Sequence, residues 1–144
     1  MVYMVPYDGS PLARSALRRA SAFAESETVV AVAIIPAGAK YARSKGWLDA
    51  GEAFDLATVR ERLETEVADV APEATFEYVR TEPRPPSSAI SKIVRRKADD
   101  HDAEIVFLGS KNAGKVVTPV TSVGSGITSD ESFDVYIARH RVGD

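Results

Sequence analysis

The chain has no cysteine among its 144 residues. Disulfides, thiolate nucleophiles and thiolate metal sites are thereby excluded, which fits a reducing compartment and leads to the expectation of a cytoplasmic protein. Histidine is nearly as scarce. Only His101 and His140 occur, and no His-x3-His or Cys-x2-Cys spacing is present, so no metal ligands are assigned. His101 stands among Asp99, Asp100 and Asp102, where a charged cap or solvated turn is expected; His140 lies in the polar segment Arg139-His140-Arg141. Charge of one sign is not in excess. A net charge of −3 gives no broad attraction to nucleic acid or to an anionic membrane, and neither is expected as a partner. The basic run Lys92, Arg95, Arg96, Lys97 reads as the exposed face of a helix. Long hydrophobic runs are missing too: the longest, residues 29–38, is too short to cross a bilayer. The opening Met1-Val2-Tyr3-Met4-Val5-Pro6 has neither the basic region nor the long apolar core of a secretory signal. No nucleophile triad or acid–base pair emerges, so no catalytic residue is assigned.

What is present is an ordinary globular balance, 44% hydrophobic and 27% charged, in a chain long enough for one continuous core. One domain over residues 1–144 is expected. Residues 2–6 are short, apolar and β-prone, as in a strand buried on both faces. Ser10 is placed to cap a helix and Pro11 suits its first position. That helix presents Leu12, Ala13, Ala16, Leu17, Ala20, Phe23 and Ala24 on one face. Residues 28–35 form a second buried strand stopped by Pro36, and residues 38–51, with three glycines and the sole tryptophan, Trp47, form a long loop or partly helical excursion. Leu56, Val59, Leu63, Val67 and Val70 follow at helical spacing. Residues 75–80 predict a more polar strand near an edge. Ser87 or Ser88 caps a helix burying Ala89, Ile90, Ile93, Val94 and Ala98, and residues 104–108 and 135–138 predict the last two strands.

Strands alternating with helices imply a parallel sheet with right-handed crossovers and helices on both faces. Ligands in such sheets bind beyond the carboxyl ends of strands where the strand order reverses. If the first and fourth strands are neighbours, the crevice brings Asp8-Gly9-Ser10 opposite Gly109-Ser110.

Three readings compete for the stretch that begins at Gly109. Gly109-Ser110-Lys111-Asn112-Ala113-Gly114-Lys115-Val116 nearly matches a P-loop, but Val116 has no hydroxyl with which to ligate Mg²⁺. A structural reading makes Gly109 a plain turn and Asp8-Gly9-Ser10-Pro11 a capping turn. The third reading is a family resemblance. Val5-Pro6-Tyr7-Asp8-Gly9-Ser10, Ile105-Val106-Phe107-Leu108-Gly109-Ser110 and the later Gly124-Ser125 together resemble a universal stress protein domain over nearly the whole chain. The resemblance implies an adenine-nucleotide α-hydrolase-like fold, a five-stranded parallel sheet in the order 3-2-1-4-5.

It also implies that nucleotide-binding members carry Gly-x2-Gly-x9-Gly-Ser/Thr after the fourth strand. Gly114 and Gly124-Ser125 keep the second spacing, whereas Gly109 and Gly114 have four residues between them rather than two. A second alignment puts Thr118-Pro119-Val120-Thr121 in place of the Gly-Ser pair. In the nucleotide-binding case, glycines let the backbone approach phosphates, Ser125 adds a hydroxyl at a helix start, and Lys111 and Lys115 neutralise charge. Pro6, Tyr7 and Asp8 would then lie on the adenosine side, Ile34 or Ile35 on the base, and Gly109, Ser110 and Gly114 in the phosphate loop. The ligand implied is ATP or AMP, with Mg²⁺ accompanying ATP. The module would act in stress response or signalling as a homodimer through the edge strand of Val135, Tyr136, Ile137 and Ala138, an apolar edge that needs covering. A nucleotide-free interaction protein of the same fold is the alternative, and slow ATP hydrolysis is the enzymatic one, without a base to assign to it.

Overall fold

A computed structural model describes residues 1–110 and 132–140. The strands are β1 (Val2–Pro6), β2 (Thr28–Pro36), β3 (Thr75–Thr81), β4 (Ala103–Gly109) and β5 (Asp134–Ala138). They form one parallel sheet in the order β3-β2-β1-β4-β5, the expected 3-2-1-4-5. The chain builds outward from β1 through β2 to β3, then crosses to the other side of β1 for β4 and β5. The strand order therefore reverses between β1 and β4.

The helices are α1 (Pro11–Phe23), α2 (Ala39–Ser44), α3 (Leu56–Val70) and α4 (Ser87–Asp100). Ser10 caps α1: its Oγ accepts the Ala13 N–H at 3.2 Å, with Pro11 at the first helical position. The 3-4-4 spacing of α3 buries Val59, Leu63 and Val67. In α4 the expected serine cap is corrected. The helix begins at Ser87, and Pro86 occupies the cap with φ −65° and ψ 154° and no side-chain bond. Proline's fixed φ already suits this position, and its carbonyl accepts the Ala89 N–H at 2.9 Å. No helix among the described residues is long and apolar enough to cross a membrane.

Side-chain alternation gives the sheet two dry faces. Tyr3, Val5, Tyr7, Ala31, Ala33, Ile35 and Phe107 pack against Ala13, Ala16, Leu17 and Ala20 of α1 and Val59, Leu63 and Val67 of α3. On the other face Met4, Val30, Val32, Val106 and Leu108 meet Val94 and Ala98 of α4. Phe23, expected within the buried stripe, is 49% exposed. It ends α1 over β4 and β5, where its ring packs edge-on at 5.7 Å from Phe107 and 5.5 Å from Tyr136.

Gly109 lets β4 end hard against the start of α1. A Cβ there would lie 2.9 Å from Leu12 Cβ, 3.1 Å from the Leu12 carbonyl carbon and 3.2 Å from the Ala13 nitrogen. Backbone atoms cannot turn aside as a flexible side chain can. A Gly109→Ala variant is expected to lose about 1–3 kcal/mol of stability in urea denaturation, the usual cost of overpacking. Unchanged stability would show that the two elements have room between them.

Candidate functional site

Beyond Pro6 the chain makes one more ladder bond, from the Tyr7 N–H to the Val32 carbonyl at 2.8 Å. Tyr7 then turns toward α3, where its hydroxyl donates to Glu66 Oε1 at 2.7 Å. Burial, followed by this carboxylate neighbour, pushes the phenol far above its ordinary range, so it stays protonated. Gly9, at φ +81°, supplies the sharp bend into α1.

Asp8 ties three segments together. Its Oδ1 accepts the Ser10 N–H at 3.0 Å, its Oδ2 accepts Lys45 Nζ at 2.9 Å, and its carbonyl accepts the Trp47 indole N–H at 2.8 Å. Burial opposes ionisation of Asp8, but the bonds from Ser10 and Lys45 outweigh it and hold the carboxyl below its usual range. Lys45 answers in kind: burial alone would lower its pKa, and Asp8 raises it instead. Trp47 is itself anchored. Arg62 on α3 donates to the Trp47 carbonyl at 2.8 Å and makes a two-pronged contact with Glu52 at 3.0 and 3.1 Å.

A cleft opens at the carboxyl ends of the strands, above the β1–β4 reversal. Its apolar floor is Val32 and Ile34 of β2, Leu108 of β4, and Ile90 and Val94 of α4; Pro6, Tyr7, Asp8, Tyr41 and Lys45 complete the wall. The cleft measures about 500 Å³ with its open mouth included. Of the residues assigned from the sequence, Pro6, Tyr7, Asp8 and Ile34 meet here. Ile35 does not: it is fully buried on the opposite face, beneath α1 and α3. Gly109 abuts the first turn of α1, with half-buried Ser110 next to it, so the fourth strand end does come up beside the Asp8 turn. Lys111, Gly114, Lys115, Gly124 and Ser125 lie outside the described residues, as do Thr118, Pro119, Val120 and Thr121.

Sequence reasoning missed Tyr41 and Lys45, which α2 and its C-cap bring to the cleft. The available signal was the sole tryptophan in a glycine-bearing stretch too long for a plain connection. His101 caps α4 and meets Glu77 Oε2 at 2.9 Å, while Lys97 Nζ lies 3.2 Å from Glu77 Oε1. This cluster holds β3 to α4. Among the described residues no group of three His, Cys, Asp or Glu side chains is placed to hold a metal ion.

The Asp8 shift has a sign that can be checked. A carboxyl whose pKa is lower folded than unfolded contributes stability above its unfolded value of about 3.9, and loses it as pH falls through the folded value. Urea denaturation between about pH 5 and pH 2 should therefore show a shallower acid decline for Asp8→Asn than for the parent chain. Parallel declines would remove Asp8 from the acid limb.

The family model for the universal stress protein family matches residues 3–130. No curated protein matches the chain. Among solved structures, a universal stress protein in complex with cAMP is similar at 16% identity and TM-score 0.55, covering 99% of this chain and 98% of its own. The universal stress protein from Archaeoglobus fulgidus is similar at 15% identity and TM-score 0.55, covering 96% and 97%. A family member from Burkholderia pseudomallei is similar at 16% identity and TM-score 0.54, covering 94% and 93%. At such identities these structures establish the shared fold, and the family model, spanning most of the sequence, establishes the relationship: the chain belongs to the universal stress protein family.

Proposed function

We propose that this chain is a cytoplasmic binding module of stress response or signalling that holds an adenine nucleotide, ATP or AMP, in the cleft between the β1 and β4 ends. One observation carries this reading: an apolar floor ends at a carboxylate, at the point where the strand order reverses. Val32, Ile34 and Leu108 offer dispersion contact to a base. Asp8 offers an acceptor to sugar hydroxyls. The phosphates are assigned to Lys111, Gly114, Lys115, Gly124 and Ser125, and Mg²⁺ to ATP itself, held through its phosphate oxygens. The cAMP complex of a structurally similar universal stress protein supports the same ligand class.

Calorimetric titration tests the proposal. ATP or AMP is expected to bind with one site per chain, and Ile34→Trp, which fills the floor without touching the opposite core, is expected to weaken binding by about tenfold or more, at least 1.4 kcal/mol. No heat from any adenine nucleotide would favour the nucleotide-free interaction protein of the same fold.

The homodimer belongs to this proposal as well. Val135 and Ile137 on the β5 edge are each 38% exposed, an apolar strand edge of the kind that natural proteins cover. Light scattering is expected to give twice the monomer mass, and Ile137→Lys to return the monomer. A monomeric parent chain at working concentration would overturn this assignment.

A further inference from the structure

The cleft is floored and walled by different elements. The floor is made of sheet strands and of α4, whose Val94 is buried in the core. Among the described residues the remaining wall is α2 with its cap residue, carrying Tyr41 and Lys45 and anchored in the core by fully buried Ala42. This six-residue helix is bracketed by Gly38 at φ +113° and Gly46 at φ +78°, and neither has another atom within 4 Å of where a Cβ would sit. Trp47, 3% exposed and stapled through Arg62, holds the far end of α2 by donating its backbone N–H to the Ala42 carbonyl at 2.8 Å.

We infer that Lys45 is a selectivity latch, which occupies Asp8 at the polar end of the cleft and which a ligand hydroxyl must displace to reach that carboxylate oxygen. The ammonium sits 2.9 Å from Asp8 Oδ2 and 5.8 Å from the centre of the Tyr41 ring, which itself packs 5.7 Å from the Trp47 ring. With side-chain exposures of 28% and 17%, the pair is partly desolvated and screened less than a surface bridge. Asp8 Oδ1 accepts the Ser10 N–H within the capping turn, whereas Oδ2 carries Lys45 on the cleft wall. A sugar hydroxyl donating to Oδ2 competes with the ammonium there. The closed latch lowers the fraction of binding-competent molecules, and apparent affinity falls by that fraction. Lys45 is a positioning residue in this account, acting on the ligand through Asp8.

The inference rests on the adenine-nucleotide reading, and the test separates the two. Adenosine is the main probe because it is neutral, so Lys45 cannot attract it by charge; AMP is titrated in parallel. Lys45→Met keeps the stem and removes the ammonium. By calorimetry it is expected to bind adenosine about fivefold more tightly than the parent chain, the equivalent of about 1 kcal/mol. Lys45→Arg, which restores a cation for Asp8, is expected to return the affinity to near the parent value. Raising salt should tighten adenosine binding to the parent chain and leave Lys45→Met unaffected, since only the latch is ionic. Adenosine binding that is equal or weaker in Lys45→Met would overturn the latch while leaving the nucleotide reading intact. Absence of binding of both adenosine and AMP to either protein would overturn both.

Discussion

A carboxylate at the end of a buried strand is costly to desolvate, and the protein offsets that cost by surrounding Asp8 with donors. Ser10, Lys45 and Trp47 each give it a hydrogen bond at 3.0 Å or less, through the two carboxylate oxygens and the carbonyl. These three bonds join the helix α1 entry, the α2 cap and the anchored loop beyond it. The rest of the cleft depends on this node. Gly9 must bend sharply for Ser10 to reach its cap, and Gly109 must be bare for β4 to come up beside that bend. Remove the node and the cleft loses both its polar end and its outer wall.

Topology explains why the node sits where it does. In a sheet ordered β3-β2-β1-β4-β5, β2 lies to one side of β1 and β5 to the far side of β4, and the cleft opens at the β1–β4 reversal. The two faces fill differently. Beneath α1 and α3 the alternating side chains close into a dry core that includes Ile35, whereas on the α4 face half-buried Ile34 lines the cleft with buried Val32 and Leu108 at its floor. The cleft therefore lies on one face of one strand end, backed by the core beneath it.

Much of this was legible in the sequence because it is periodic or local. The continuous apolar runs gave the central strands, the spacing of Val59, Leu63 and Val67 gave α3, and Ser10-Pro11 gave the start of α1. The Asp8 side of the crevice followed from strand order. Other features were not legible, for physical reasons. Alternation tells that Ile34 and Ile35 face opposite ways, but not which face α4 leaves open. Pro86 displaced the serines at the cap because its own backbone already has the cap geometry. Lys45 carries no periodic signal at all; it reaches Asp8 across 37 residues, and only the folded chain shows it.

Trp47 offers the most direct test of the claim that ligand binds at Asp8. It is the only tryptophan, and its indole N–H donates to the Asp8 carbonyl. In a proton–nitrogen correlation spectrum it gives a single indole resonance that reports on that bond. Titration with AMP should move this resonance progressively to a saturating position. An indole resonance that stays in place at saturating AMP would contradict the account.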